Sequence, residues 1–494
     1  MSTFRRMSTS TFRRVAVMLG VSVASMLAVS AAAAHAQGVP DARLDALVAL
    51  AESRMRSLGV PGAAIGIVHN GVVQIRGVGV TSLDDPLPVT AGTAFPIASI
   101  SKTFAAAAML RLVEQGKVDL DAPVRRYLPQ FRVRDEEVSR TVTVRQLLTH
   151  AGGWEGQVTG PDRGSETLAN FVSSISDLMQ VAPPGAAWSY NNVGFSIAGR
   201  VIEQVTGKSI SEAMAELLFK PLGLGCTGTH PSDFITHRFA VGHVTRDGVS
   251  SVQRPFGASM FVTTGGIGLC MTDMMAYARF HLGDGSGAGD AGVLSRESLA
   301  LMRTPQMRKH GTDDEMGIGW HLRSMGGVRT ASHGGTLGGH NLLLEIVPER
   351  NFAIAVLTNS NVGWRVIEAV EREALRTYLG LTYAKNQAIA HRGVVETLPS
   401  ATPLARQPAA APYVGTYARP MNTVEVREEN GGVVVQVLRP TGERGEIMPI
   451  SFFGEDRAVV TAGADLGQSV EFVRDAAGRV KWVRLTGRVA VRVK

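Results

Sequence analysis

Ser99 and Lys102 stand three residues apart, a spacing that places two side chains on one face of a helix. Residues 103–110 form an apolar stretch of strong helix formers, which predicts that Lys102 is partly buried. A desolvated ammonium loses its proton more easily, so Lys102 could serve as a base that activates the Ser99 hydroxyl. The pattern Ser-x-x-Lys also occurs by chance. Its assignment to nucleophilic catalysis therefore depends on the motifs around it.

Three more sequence blocks follow the serine in order. They are residues 143–153, which read TVRQLLTHAGG, then Tyr190-Asn191-Asn192, and then His333-Gly334-Gly335. Together with residues 98–129 they resemble the serine β-lactamase and penicillin-binding-protein superfamily. The resemblance is to its class C-like branch, which also includes D-stereospecific peptidases, DD-carboxypeptidases and esterases. It runs over about residues 45–378, and four ordered blocks are far more specific than one.

The resemblance implies a role for each motif residue. Ser99 attacks a carbonyl and forms an acyl-enzyme, and either Lys102 or the phenolate of Tyr190 takes its proton; the residues leave this choice open. A tyrosine acts as a base near neutral pH only if adjacent cations lower its pKa, and Lys102 and His333 are expected to do so. Tyr190 would then protonate the leaving group and later activate water for deacylation.

The resemblance also implies which groups hold the substrate. Asn192 would hold Lys102 and the substrate amide, and the backbone N–H groups of Ser99 and Thr336 would bind the oxyanion. Gly335 would let the substrate lie flat against an edge strand, with no Cβ in the way. Without the resemblance, Tyr-x-Asn predicts only a turn with Asn192 as a helix cap, and His-Gly-Gly predicts only a loop.

Position 333 bears on the substrate class. The third motif is Lys-Thr-Gly in true β-lactamases, whereas this chain has His333, which carries only part of a charge at neutral pH. A permanent cation can hold a β-lactam carboxylate, so the histidine favours cleavage of D-configured peptides or amides. Two alternatives stay open. One is an esterase or weak class C-like β-lactamase with the same residues, and the other is a non-catalytic penicillin-binding or assembly protein.

Four residues near the motifs carry a structural interpretation as well. We interpret His150 as a structural histidine with satisfied hydrogen bonds. Trp154, Glu155 and Trp188 could line a pocket or simply pack in the core.

The composition is that of a globular protein with a large core, since 45% of the 494 residues are hydrophobic and 19% are charged. Four arginines and no acidic residue precede position 37, so the formal net charge of +7 falls to +3 without that segment. The rest of the chain has no block of like charge and no aromatic–basic alternation. This argues against nucleic-acid binding.

Residues 1–36 are predicted to be a signal peptide. Residues 5–14 include four arginines, residues 15–34 are apolar, and Ala34-His35-Ala36 is an A-x-A cleavage site. We therefore expect a periplasmic or secreted protein, cut after Ala36. The alternative is an uncleaved anchor, the only case in which we expect membrane association.

Cys226 and Cys270 are the only cysteines of the chain, too few for a disulfide framework. One bridge could form in an oxidising compartment, but the favoured interpretation is two buried, small apolar side chains. His333 and His340 lack a third ligand at a suggestive spacing, and neither HExxH nor CxxC occurs. We expect no metal and no cofactor.

The helices and strands that carry these residues are predicted from the spacing of hydrophobic residues and from turn-forming pairs. Asn70-Gly71 separates two β-rich runs and indicates a hairpin, and a second hairpin is predicted around residues 348–351. Helices are predicted at residues 41–58, 99–116, 143–148, 166–179, 192–206, 210–218, 272–281 and 364–379. Strands at both ends with helices between them predict an α+β fold. Its antiparallel sheet is flanked by helices, a helical subdomain is inserted, and the active site lies in the cleft between sheet and subdomain.

The chain is predicted to divide into the signal peptide, a hydrolase-like domain at residues 37–382, a linker at residues 383–411 and a C-terminal domain at residues 412–494. Seven or eight short alternating strands in the last segment predict a small antiparallel barrel. It resembles the lipocalin-like module appended to some D-peptidases of this branch. Its role is interpreted either as structural, including formation of a homo-oligomer, or as shaping access of a small-molecule or peptide substrate.

Overall fold

A computed structural model of the chain describes residues 41–156, 167–246, 249–253, 261–283, 292–309, 314–383, 389–392, 395–398 and 401–494. Residues 43–494 form one compact unit. The predicted signal peptide and its cleavage site lie outside the described residues. Over the ranges described, no helix combines the length and the apolar character needed to cross a bilayer.

The larger part of the unit is built on an antiparallel sheet. Its strands and the short strands beside it are β1 (Gly62–His69), β2 (Val72–Gly79), β3 (Ala94–Pro96), β4 (Thr227–Gly228), β5 (Gly242–Arg246), β6 (Val249–Gln253), β7 (Gly268–Cys270), β8 (Met307–Arg308), β9 (Glu315–Met316), β10 (His321–Met325), β11 (Val328–Leu337), β12 (His340–Val347) and β13 (Phe352–Thr358). Eight of them form the main sheet in the order β2-β1-β13-β12-β11-β10-β9-β8. Both predicted hairpins are confirmed: Asn70 and Gly71 have positive φ angles of 51° and 82°, as a two-residue turn requires.

Helices cover both faces of this sheet. They are α1 (Ala42–Leu58), α2 (Ser101–Glu114), α3 (Glu136–Thr141), α4 (Val144–Leu148), α5 (Leu168–Ser174), α6 (Asn192–Thr206), α7 (Ile210–Met214), α8 (Met271–Leu282), α9 (Arg296–Met302) and α10 (Trp364–Leu379). Because side chains alternate along a strand, each face of the sheet has its own core. On β12, Leu342, Leu344 and Ile346 face the core shared with α2, α6 and α8. Leu343 and Val347 face the core shared with α1 and α10.

Two predicted helices differ from the sequence pattern, one in where it ends and one in its helix type. The helix predicted at residues 166–179 is only α5, because the backbone leaves the helical conformation at Ile175 and the chain then forms a β-bridge between Gln180 and Trp154. The helix predicted at residues 210–218 continues beyond α7 as a π-helical turn, Ala215–Phe219. In both cases apolar periodicity continues past the end of the α-helix, because the following residues are also buried.

Two short strands lie in the segment predicted to be a linker. They are β14 (Ile389–Arg392) and β15 (Val395–Thr397), which pair with each other. Strands of three or four residues are too short for a readable alternation, so the sequence did not predict them.

The C-terminal residues close into an antiparallel barrel of eight strands, as predicted. The strands are β16 (Gly415–Arg419), β17 (Asn422–Glu429), β18 (Gly432–Leu438), β19 (Arg444–Gly454), β20 (Arg457–Val460), β21 (Ser469–Arg474), β22 (Val480–Leu485) and β23 (Arg488–Arg492). Inward-facing apolar residues such as Val424, Val435 and Phe472 fill its interior. The fold class is thus the expected one, an α+β domain followed by a closed barrel.

Candidate active site

Ser99 lies between β3 and α2, and the chain is held on both sides of it. β3 pairs with β7, and the Ile97 N–H donates a hydrogen bond to the Ile267 carbonyl at 2.9 Å. Ala98 has a φ of 47°, a left-handed conformation that costs a non-glycine residue about 1–3 kcal/mol and persists only where the surroundings impose it. Ser99 follows in a 3₁₀ turn, Ala98–Ile100, and is half-buried. The hydroxyl therefore has a fixed position at the start of α2.

Lys102 lies one turn after the serine, as its spacing predicts, and is fully buried. Its Nζ is 3.1 Å from Ser99 Oγ and donates to the Thr264 carbonyl at 2.6 Å. Burial lowers the pKa of Lys102 well below its usual value, and the positive charge of Arg488 lowers it further. An uncharged amine keeps two hydrogens and a lone pair. It can therefore donate to Thr264 and still accept a proton from Ser99.

Tyr190 is buried beside this pair. The centre of its ring is 5.0 Å from Lys102 Nζ and 4.4 Å from the centre of the His150 ring. The expectation that Lys102 and His333 bring the pKa of Tyr190 below its ordinary value is wrong. Burial raises that pKa to about 12, and the interaction with Ser99 and the charge of Arg488 offset only part of the effect. The phenol therefore keeps its proton near neutral pH and is available as a donor.

His333 is a neutral ring in a defined tautomer. Its Nδ1 is 2.7 Å from the Gly334 carbonyl oxygen, which can only accept, so Nδ1 carries the hydrogen and Nε2 carries a lone pair. Burial, followed by the charge of Lys102, lowers the pKa of His333 to about 3. The sequence predicted a partial charge at this position. The structure removes that charge throughout the neutral pH range.

The second half of β11 extends past its neighbour in the sheet. β10 pairs with β11 only as far as Ser332, so from His333 onward that side of β11 is not paired with β10 and lies next to the segment that carries Ser99. A Cβ on Gly335 would lie 2.6 Å from the Ile97 carbonyl oxygen and 3.1 Å from the Ala98 Cβ. The glycine is therefore needed for close packing against the segment that carries Ser99, and not only for the approach of a substrate. Thr336 follows on the exposed part of the strand.

The Tyr-x-Asn block forms a tight junction before α6, but Asn192 is not its cap. Asn191 caps the helix through Oδ1, which accepts from the Gly194 N–H at 2.8 Å, and Asn192 is the first helical residue. The Asn191 N–H donates to His150 Nδ1 at 2.9 Å. His150 thus holds the turn that contains Tyr190. Its Nε2, however, is buried without a hydrogen-bond partner, so the prediction that its hydrogen bonds are all satisfied is wrong.

The aromatic residues near the motifs are core residues. Trp154 and Trp188 are each 1% exposed. Trp188 packs beneath Tyr190, with Lys309 Nζ at 4.8 Å and Arg484 Cζ at 5.5 Å from its ring. Glu155 is also buried, and its charge acts on Arg488.

Two contributors to the site were not predicted. Thr264 supplies the carbonyl that holds Lys102, and the only sequence signal for it is the turn-forming run Thr263-Thr264-Gly265-Gly266. Arg488 comes from the barrel, with its guanidinium carbon 5.4 Å from the centre of the Tyr190 ring. Nothing in the sequence around Arg488 connects it with residues 99–102.

The cysteines lie side by side behind the nucleophile segment. Both are buried free thiols, and the Cys270 N–H donates to the Cys226 carbonyl at 3.2 Å. Within the described ranges, no three His, Cys, Asp or Glu side chains are grouped as a metal ion would need.

Comparison with known proteins identifies the family of this chain. The family model described as "Beta-lactamase" matches residues 47–377. "Penicillin-binding protein 4" of Amycolatopsis lactamdurans is 33% identical over 368 residues, which are 73% of this chain and 93% of that protein. The crystal structure of "SurE with D-Leu" superposes with a TM-score of 0.74 at 27% identity, covering 92% of this chain and 100% of that one. A class C beta-lactamase from Rhodobacter sphaeroides shares the fold, with a TM-score of 0.59 at 22% identity over 68% of this chain and 99% of its own.

Proposed function

The chain belongs to the beta-lactamase family, and we propose that it is a serine hydrolase that forms an acyl-enzyme on Ser99 and cleaves D-configured peptides or amides. One observation carries the proposal. Lys102 is fully buried and held by the Thr264 carbonyl. Its Nζ lies 3.1 Å from the Ser99 hydroxyl, next to the part of β11 that is not paired with β10. This is the relation between nucleophile and base that covalent catalysis requires.

In the first step, Lys102 acts as the base. Ser99 Oγ forms a bond to the substrate carbonyl carbon, and its proton passes to the Lys102 lone pair. Tyr190 is the weaker candidate for this task, because a pKa of about 12 leaves almost no phenolate near neutral pH. The negative charge that develops on the carbonyl oxygen would be bound by the backbone N–H groups of Ser99 and Thr336.

In the second step, the leaving amine departs with a proton. Tyr190 supplies it from its hydroxyl and recovers it from the protonated Lys102, so that the acyl-enzyme forms with both groups back in their first state. Water then attacks the ester carbon, passes a proton along the same groups, and releases Ser99 and the carboxylic acid. Asn192 would hold the substrate amide beside this path.

The proposed substrate class is supported by the relatives and by His333. SurE, 27% identical over most of the chain, was crystallised with D-Leu. The relative from Amycolatopsis is named "Penicillin-binding protein 4". A neutral His333 gives no permanent cation at the third motif, which argues against fast hydrolysis of β-lactams.

The nucleophile is tested by covalent labelling. Intact mass is measured after incubation with a fluorophosphonate and, separately, with a labelled penicillin, for the wild type, Ser99→Ala and the matched control Ser101→Ala. We expect one adduct on the wild type and on Ser101→Ala, and none on Ser99→Ala. A wild type that forms no adduct with either probe would contradict the proposal and favour a non-catalytic protein.

The substrate class is tested on the same preparation. Acyl-D-Ala-D-Ala and acyl-L-Ala-L-Ala peptides are compared with nitrocefin and p-nitrophenyl esters. We expect kcat/KM for the D-peptide to exceed that for the L-peptide by at least about tenfold. Faster turnover of the ester or of nitrocefin than of both peptides would replace the peptidase proposal with an esterase or a β-lactamase.

We also propose that the chain is exported and cut after Ala36, which rests on the basic start and the apolar stretch of residues 1–36. Cell fractionation and the mass of the mature protein test this. A mature protein beginning at Gln37 in the periplasm or medium is the expected result. A full-length protein in the membrane fraction would support the anchor instead.

A further inference from the structure

The turn between β22 and β23 of the barrel contacts the segment that carries Tyr190. The Tyr190 N–H donates to the Gly487 carbonyl at 2.9 Å, and the Val489 N–H donates to Ser189 Oγ at 3.2 Å. The two residues of the turn, Thr486 and Gly487, both have positive φ, at 53° and 69°. A β-branched residue rarely adopts this conformation, so the turn has a defined shape that its contacts maintain.

Further contacts hold the turn in place. Trp482 Nε1 donates to the Val181 carbonyl at 3.0 Å, across the junction between the barrel and the hydrolase-like domain. Arg484 is paired with Glu471 and also lies over the Trp188 ring. Arg419, on the barrel side, donates to the Arg488 carbonyl at 3.3 Å. The barrel is thereby fastened to the Trp188–Tyr190 segment at several points.

Arg488 follows this turn directly and is partly buried against Tyr190. Its guanidinium carbon lies 5.4 Å from the centre of the Tyr190 ring, and Lys102 Nζ lies 5.0 Å from the same point. An arginine stays charged under all ordinary conditions, whereas a buried lysine can lose its proton. A permanent charge that lies against the same tyrosine ring therefore makes a second charge on Lys102 less favourable.

We propose that Arg488 is a positioning residue of the catalytic site, through which the C-terminal barrel supplies the fixed positive charge that keeps Lys102 able to accept the Ser99 proton. The inference rests on the proposed function and extends it, because it makes the barrel a part of the catalytic apparatus. A barrel that served only as a structural or oligomerising appendage would not influence the charge state of Lys102.

The other titratable groups around Lys102 agree with this assignment. Burial, with the charge of Lys102 next, lowers the pKa values of both His150 and His333, so that both rings are neutral near pH 7. Tyr190 keeps its proton. Glu155 faces Arg488 and Arg419 and balances part of their charge. After burial itself, Arg488 is the influence that lowers the pKa of Lys102.

The sign of the effect follows from this arrangement. Lys102 is charged and inactive as a base below its pKa, so activity falls as the pH drops through that value. Removing the positive charge of Arg488 raises the pKa of Lys102. The acidic limb of the pH profile then moves to higher pH.

The experiment measures the rate at which a fluorophosphonate modifies Ser99 between about pH 5 and pH 9, by intact mass. In this reaction Ser99 Oγ bonds to phosphorus, fluoride leaves and the serine proton passes to Lys102, so no natural substrate is needed. The variants are Arg488→Met, Arg488→Gln and Arg488→Lys, with Arg479→Met as a control on an exposed arginine of the barrel. Melting temperatures show which variants are folded.

We expect the acidic limb of Arg488→Met and Arg488→Gln to move to higher pH. The limb of Arg488→Lys should move less, because a buried lysine keeps its charge over only part of the pH range, and Arg479→Met should follow the wild type. If the role of Arg488 were purely structural, its replacement would lower the rate of Ser99 labelling at all pH values and leave the acidic limb of the pH profile unchanged. Superimposable profiles for the wild type and a folded Arg488→Met or Arg488→Gln would overturn the inference. A wild type that is not modified at all would instead overturn the proposed function.

Discussion

The start of α2 and the β22–β23 turn both contribute to the candidate site, but they do so by different routes. Ser99 and Lys102 are one helical turn apart, so the local backbone brings them together. Arg488 is 386 positions after Lys102 and reaches the site only because the barrel is fastened to the Tyr190 segment. A short motif is thus sufficient to identify the reactive groups, whereas the charge that acts on the pKa of Lys102 comes from an element distant in sequence.

Lys102→Ala removes the base from the α2 side of the site. We expect the rate of fluorophosphonate labelling of Ser99 to fall by about 10²–10⁴-fold, the usual contribution of a general base. Lys309→Met is the matched control, because Lys309 is also fully buried but lies against Trp188. Labelling of Lys102→Ala at the wild-type rate would show that another group takes the Ser99 proton.

Gly335→Ala tests the contact between β11 and the Ser99 segment. The new Cβ would lie 2.6 Å from the Ile97 carbonyl oxygen, so one of the two backbones must move. We expect a loss of about 1–3 kcal/mol in the free energy of unfolding and at least a tenfold loss of activity, measured by urea denaturation and labelling rate. Gly92→Ala, where nothing lies within 4 Å of the new Cβ, should change neither quantity. A fully active Gly335→Ala would mean that the Ser99 segment tolerates displacement.

Trp482→Phe tests the barrel side. The ring is largely kept, but the Val181 carbonyl loses its hydrogen bond from Nε1. We expect a loss of about 1 kcal/mol in the free energy of unfolding and an activity change of only a few-fold, because other contacts still hold the Tyr190 segment. The urea midpoint and kcat/KM are the measurements. An activity loss as large as that of Lys102→Ala would show that the whole barrel position depends on this bond.

Cys270→Ser is expected to have the smallest effect. Cys270 is buried next to β3 but does not touch Ser99 or Lys102, and serine can keep the 2.9 Å contact with Thr272 Oγ1. We expect rates within a few-fold of the wild type, with labelling of Ser99 as the measurement. A large loss would give this thiol a role that two buried apolar side chains do not have.

The fold was largely predictable because its signals are local. The Asn70-Gly71 turn, the α6 boundaries and the alternating strands of the barrel depend on neighbouring residues, and the structure contains all of them. The predictions failed where partners distant in sequence decide the outcome. The early end of α5 follows from pairing of Gln180 with Trp154, and the strands β14 and β15 are too short to carry a pattern of their own.

The nucleophile helix follows from local sequence, because a spacing of three residues and an apolar run are sufficient to place Ser99 beside a buried Lys102. The family follows in the same way from four motifs in a fixed order. The charge states depend instead on the folded chain, because a pKa depends on burial and on charges that reach the site from anywhere in the chain. Burial makes His333 neutral and Tyr190 a proton donor, and the folding of the barrel against the Tyr190 segment brings Arg488 to the tyrosine ring that Lys102 also contacts.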